Sequence, residues 1–306
     1  MENTLTALAT PAAEAGTVTI LLAPSLELAQ TVSPLISVEA EYGDTVVQGA
    51  LYTAAHHGSR AANPCPCVDA SIPAIGAGRI LVSHIDLDTV GGVGRAIGHP
   101  ACGGRHGMFW RLAAFVDTAG PHRLAEVRQW DAGPSLLVER QLHAYWAWAQ
   151  ANRGPRRDPG VVHDVTAEVK RHLALLLDIF GEREDGSLLQ AGDEFKAAGE
   201  RLNAESFLAI SSDGVIRRRS DAFVNHLYTA PSGEVGNAVI AFNTQTKAMT
   251  LSFAEKGDPR NACEIMQAAF GPEAGGHKGI AGSPRGVEVE NPSKAMAAIE
   301  ALCPAQ

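Results

Sequence analysis

Arg79-Ile80-Leu81-Val82-Ser83 runs directly into His84-Ile85-Asp86-Leu87-Asp88-Thr89-Val90-Gly91-Gly92, and this stretch decides the fold. The branched apolar run predicts a buried strand, and the polar residues that close it fall where an open α/β sheet carries its site. The pattern recurs upstream. Thr17–Leu22 predicts one strand, and Asp44–Ala55 a second that ends at His56-His57-Gly58. Downstream, Trp110–Val116 predicts a fourth strand, closing on Asp117-Thr118. The intervening segments have room for crossovers, so the expected architecture is a mostly parallel sheet in an α/β domain.

Beyond this the texture changes. Pro134–Asn152 and Val161–Phe180 read as helices, the second placing Val162, Val165, Val169, Leu173, Leu176 and Phe180 on one face. Leu188–Asn203 is a more charged helical connector. Strands return at Phe207–Ser211, Asn237–Asn243 and Ala248–Phe253. They are followed by a helix over Pro259–Phe270, a glycine-rich loop from Gly271 to Gly286 and a helix over Asn291–Leu302. At ~100–200 residues per domain, 306 residues make two domains. The expected division is a metal-binding domain over 1–185, a helical linker over 186–205 and a smaller α/β domain over 206–306.

Composition bounds the function. With 45% hydrophobic and 19% charged residues, the chain can bury a core and is not a disordered tail. Lys and Arg number 25 against 34 Asp and Glu, a net charge of −9. That lacks the broad basic footprint of a duplex nucleic-acid binder and favours a small substrate. The 5 cysteines are an odd number, with Cys65 and Cys67 too close for an ordinary bridge, which predicts reduced thiols in a cytoplasm. No secretory pattern opens the chain, and no run reaches the ~18 apolar residues of a membrane span, so no membrane partner is expected.

Of the 11 histidines, six (His56, His57, His84, His99, His106 and His122) gather with aspartates and cysteines between positions 56 and 122, the composition of a metal site. On an extended strand, alternate residues share a face, so His84, Asp86 and Asp88 converge, a set suited to Mn²⁺, Fe²⁺ or Zn²⁺. Gly91, Gly92 and Gly94 then let backbone approach a ligand. At His56-His57 adjacent side chains point oppositely, so one ligand is expected, taken as His57; the roles of His56, Cys65, Cys67 and Cys102 stay open. Cys102 and His106 could both reach a metal, and Asp117 at a strand end could bridge two ions or orient a water. In Gly275-Gly276-His277-Lys278-Gly279-Ile280-Ala281-Gly282-Ser283-Pro284-Arg285-Gly286, glycine N–H groups with His277, Lys278 and Arg285 suit an anion.

The order of these residues resembles the DHH phosphoesterase family with its DHH-associated C-terminal domain. Gly275-Gly276-His277-Lys278-Gly279-Ile280-Ala281-Gly282 is similar to that domain's GGH-x-x-A-A-G signature, and His84-Ile85-Asp86-Leu87-Asp88 to the family's H-x-D-x-D. Phe115-Val116-Asp117 is similar to its aspartate closing a hydrophobic strand. The Asp-His-His triplet that names the family is absent after Asp117; His56-His57 offers imidazoles from another chain position. The resemblance implies a metal domain and a substrate-binding domain facing each other across a cleft.

The expected activity is metal-dependent hydrolysis of a small phosphoester. His57, His84, Asp86, Asp88, His106 and Asp117 would hold one or two divalent ions, Mn²⁺ foremost and Zn²⁺ or Fe²⁺ next. Asp86, Asp88, His277 and Arg285 would carry the chemistry, and Gly275, Gly276, His277, Lys278, Ser283 and Arg285 would bind the anionic substrate. Two rivals remain: hydrolysis of an amide or ester on the same scaffold, and a non-catalytic nucleotide-binding regulator. A homodimer is left open.

Overall fold

The computed structural model describes residues 16–42, 45–130, 135–155, 157–255, 257–284 and 286–303. The chain forms two compact units, Met1–Thr118 with Glu126–Phe195 and Ala119–Ala125 with Lys196–Gln306. The main division therefore falls within the helix α6, Ser187–Ser206. No helix among the described residues is long and apolar enough to cross a membrane.

The first unit is α/β. Its strands are β1 (Val18–Leu22), β2 (Ile36–Val38), β3 (Glu41–Tyr42), β4 (Thr45–Val46), β5 (Tyr52–Ala54), β6 (Gly78–Val82) and β7 (His163–Asp164). Its helices are α1 (Leu26–Gln30), α2 (Leu87–Ala96), α3 (Gly107–Ala119), α4 (Leu136–Ala151), α5 (Thr166–Gly181) and the start of α6. The main sheet runs β5-β2-β6-β1-β7, parallel except for the β7 edge, while β3 and β4 form a separate two-stranded ribbon. Ile20, Leu21, Ile36, Ile80 and Leu81 are buried at the sheet's centre, each contributing ~1.5–3 kcal/mol of hydrophobic stabilisation. The chain passes outward through β2 and β5, then returns to place β6 between β1 and β2. This reversal opens a crevice beyond the carboxyl ends of the strands.

Two expectations give way here. Residues 45–55 are not one strand but β4 and β5, separated by an irregular bent stretch, and Asp44 lies outside the described residues. Trp110–Val116 is not a strand but the body of α3, where Phe109, Trp110, Leu112 and Ala113 form the buried face. The i, i+1, i+3, i+4 spacing of that face is helical, a distinction that a short apolar run does not reveal.

The first turn of α2 is set by Asp86, whose side chain caps the helix by accepting from Thr89 N at 3.1 Å. The glycines of α2 serve close packing rather than ligand approach. A Cβ at Gly91 would lie 2.4 Å from Cys67 Cβ and 2.5 Å from Trp110 Cζ3, and one at Gly92 would lie 2.7 Å from Pro66 Cβ and Val38 Cγ1. The Cys65-Pro66-Cys67 segment can therefore lie directly on the helix.

The second unit holds β8 (Phe207–Ile210), β9 (Val215–Ser220), β10 (Ala238–Asn243), β11 (Met249–Phe253), β12 (Gly275–Gly276), β13 (Ile280–Gly282), α7 (Ala262–Phe270) and α8 (Pro292–Ala301). The sheet order is β12-β13-β11-β10-β9-β8, with β9 and β10 parallel. Along β10, Ala238, Ile240 and Phe242 face a core shared with Met266 and Ile299, while Val239 and Ala241 face Ile216 and Val224. The fully buried Arg218 ties this unit together, donating to the carbonyls of Leu227, Asn203 and Thr229 and to Ser206 Oγ. Burial pushes its guanidinium down to about 10.

Candidate metal centre

Three strand ends and two helices build the site. Glu39 follows β2 directly, His56 and His57 follow β5, and Asp88 lies in the first turn of α2 after β6. Asp117 projects from the last turn of α3, and Cys65 comes from the segment packed on the α2 glycines. Candidate ligand atoms of His56, Cys65, Asp88 and Asp117 lie within 4.8 Å of one another, as do those of Glu39, His56 and His57. His56 belongs to both sets.

His56 is the hub. Its Nε2 lies 3.2 Å from Asp117 Oδ2 and 3.5 Å from both Asp88 Oδ2 and Glu39 Oε1. His57 Nε2 lies 2.8 Å from the other Glu39 oxygen. Cys65 Sγ is 3.7 Å from Asp88 Oδ2 and 3.5 Å from Cys67 Sγ. The two side chains do not point oppositely, because the chain has left the strand: Glu41 accepts from both backbone N–H groups, and the two rings lie side by side with centroids 4.3 Å apart.

Glu39 is fully buried and adopts φ 51°, a left-handed conformation rare for a residue with a side chain. Its N–H donates to Ala54 O at 2.9 Å and its carbonyl accepts from Ser83 Oγ. Such strain is typical of functional positions, and here it carries the carboxylate to the histidines.

The electrostatics are those of a crowded anionic site. Burial opposes the charge on His56, but Asp117, Asp88 and Glu39 outweigh it and push the imidazole up to about 10. Burial pushes Asp88 up to about 7; His56 opposes this, while Asp86 and Asp117 reinforce it. The Cys65 thiol is pushed far up by its hydrogen bond with Cys67, by burial and by the nearby carboxylates. Among the described residues, the buried Glu39 and Asp88 meet imidazoles and a thiol but no lysine or arginine. Neither Glu39 oxygen has a well-formed hydrogen bond, nor has His56 Nε2. Buried carboxylates compensated only by protons on neighbouring imidazoles are costly, and a divalent metal taking the place of those protons fits this set of oxygen, nitrogen and sulfur donors.

The remaining sequence candidates lie elsewhere. His84 and Asp86 do not share a strand face with Asp88. The chain turns after Ser83, and His84 Nε2 pairs with Asp86 Oδ2 at 2.8 Å, beside the cluster rather than in it. Burial opposes the charge on His84, but Asp86 pushes the imidazole up to about 9, and His84 in return draws Asp86 well below the usual carboxylate range despite burial. His106 is not in the cluster; a short helical turn stacks it on Phe180, centroids 4.0 Å apart. Cys102 is turned to Gly91 O. Asp117 joins the site, but from a helix rather than a strand end.

In the second unit, Gly275 and Gly276 pair with Gly282 and Ala281 in a hairpin. The N–H groups of His277 and Ile280 are spent on each other's carbonyls, so they do not face an anion. The His277 and Lys278 side chains are exposed. Ser283 is buried and its Oγ accepts from Met249 N at 3.0 Å. Arg285 lies outside the described residues.

Sequence reasoning missed Glu39 and left Cys65 and His56 undecided. The signal for Glu39 was present, an acid closing the short apolar run Ile36-Ser37-Val38.

No protein-family model matches the chain. No curated protein matches it either. A solved structure of an uncharacterized protein from Helicobacter pylori G27 is similar at 12% identity and TM-score 0.22, covering 64% of this chain. The match takes in 52% of the other protein, so this chain spans about half its length.

Proposed function

We propose that the first unit is a metal-dependent hydrolase, with phosphoester bonds as the preferred substrates, and that it is a divergent relative of the DHH phosphoesterases. One observation carries this reading: His56, Cys65, Asp88 and Asp117 converge from separate strand ends and helices on one point, and His56 also joins Glu39 and His57 in an adjoining set. His56, Asp88 and Asp117 would hold a divalent ion, with Cys65 on one side and Glu39 and His57 on the other. Such an ion polarises a phosphoryl or acyl oxygen and lowers the pKa of water.

The protein's own groups supply the rest. Glu41 fixes the His56-His57 backbone, and Asp86 and Ser83 orient the two nitrogens of the His84 ring. With a pKa raised to about 9, His84 carries a proton at neutral pH and can give it to a leaving group. The Cys65 thiol favours a second reading, hydrolysis of an amide or ester at a zinc or iron centre, because thiolate ligands suit those ions better than Mn²⁺.

The test is reconstitution of chelator-treated protein with Mn²⁺, Zn²⁺ or Fe²⁺, assayed on bis(p-nitrophenyl) phosphate and p-nitrophenyl acetate. Turnover of the diester that is lost in Asp117→Asn supports the first reading; turnover of the acetate alone supports the second. Absence of stoichiometric metal in the wild type, with no turnover of either, overturns both.

A further inference from the structure

Beside the metal centre lies a cavity of about 860 Å³ at the carboxyl ends of β1 and β6, within the ~300–1,000 Å³ of small-molecule sites. Its walls include His84, Asp86, Tyr145, Trp146, Arg153 and Arg157. Asp86 is the shared partition, paired with His84 on the cavity side and raising the pKa of Asp88 in the metal cluster. Tyr145 is buried, and its hydroxyl is bonded to His172 Nδ1 at 2.8 Å, which ties two of the wall residues together.

The charges of this cavity are unequal. Arg157 is ion-paired with Glu168, and Asp86 with His84. Arg153 has no ion-pair partner among the described residues, although the chain as a whole carries −9. With the His84–Asp86 and Arg157–Glu168 pairs each neutral, one guanidinium is left over, and it matches one negative charge rather than two. The lining includes the Trp146 indole with the rings of Pro155 and Pro159, a surface against which a planar group stacks.

We propose that this cavity binds a ring-bearing organic monoanion, with Arg153 selecting the charge and Trp146 the ring. A carboxylate and a phosphodiester both meet that description; a phosphomonoester, dianionic above its second pKa near ~6, does not. The assignment goes beyond the hydrolase reading. Only its corollary rests on that reading: that the metal centre acts on diesters or carboxyl compounds in preference to phosphomonoesters.

The experiment is a binding titration of the full chain at pH 8, with and without Mn²⁺. The probes are phenylacetate, methyl phenyl phosphate, phenyl phosphate and benzyl alcohol. Both monoanions should bind at least about fivefold more tightly than phenyl phosphate or benzyl alcohol, and their ranking identifies the source of the anion. Arg153→Ala, at an exposed position, should weaken both monoanions about tenfold or more, as expected for a lost charge-assisted bond, and leave benzyl alcohol unchanged. Trp146→Ala should weaken every ring-bearing probe. Equal or tighter binding of phenyl phosphate, or no effect of Arg153→Ala, overturns the assignment. If the wild type takes up no metal but still binds the monoanions with the Arg153 dependence, the hydrolase reading falls and the cavity assignment stands.

Discussion

Raising the pH from 7 to 9 should strengthen metal binding by roughly two orders of magnitude. A metal that takes His56 must displace its proton, and His56 is pushed up to about 10 by Asp117, Asp88 and Glu39 against the opposing effect of burial. The deprotonated fraction of such a group rises from about 0.001 at pH 7 to about 0.1 at pH 9, a gain of roughly 90-fold. Asp88, raised to about 7 chiefly by burial, adds about twofold over the same interval, bringing the total near ~3 kcal/mol. A Cys65 thiolate ligand would steepen the slope further, because that thiol is held higher still. Competition against a chelator of known affinity at each pH measures the slope, and calorimetry in buffers of different ionisation enthalpy counts the protons released. In His56→Gln most of the slope should vanish. A wild-type affinity that changes less than about threefold between pH 7 and 9 would refute the placement of His56 at the centre of the ligand set.

The metal-free protein should lose stability as pH rises, read as a falling Tm between about pH 6 and 10. His56 and His84 are raised to about 10 and 9, so their contributions are complete below the unfolded value of about 6.5 and fade through those folded values. Asp88, raised to about 7, acts in the same direction between about pH 4 and 7, and bound metal should flatten the decline. Gly91→Ala places a Cβ 2.4 Å from Cys67 Cβ and should cost at least ~1–3 kcal/mol by overpacking, measured by denaturant unfolding. Cys65→Ser should shift the preference among bound ions from Zn²⁺ towards Mn²⁺, measured by competitive loading and elemental analysis. In the second unit, Arg218→Met leaves the carbonyls of Asn203, Leu227 and Thr229 without their donor. It should destabilise that unit by ~3 kcal/mol or more, seen as early loss of hydrogen-exchange protection in β9 and β10.

The signals legible in the residues alone were local. Apolar runs closing on polar residues placed β1 and β6, and three- and four-residue spacing placed α5, whose buried Val169, Leu173 and Leu176 follow that period. The same reasoning marked the segments after β5 and β6 as rich in ligands. It misread Trp110–Val116 because a short apolar run has no period long enough to separate strand from helix. It also grouped His84 with Asp86 and Asp88 by assuming the strand continued, whereas Asp86 caps α2 and ends that alternation. The candidate ligand set is a product of the tertiary fold. Glu39, His56, Cys65, Asp88 and Asp117 are brought together because β6 is inserted beside β2, with β5 on its far side, and because glycines on α2 let the Cys65–Cys67 segment approach. Local periodicity encodes which face of an element is buried; it carries no record of which strand ends become neighbours, and the candidate metal centre depends on that adjacency.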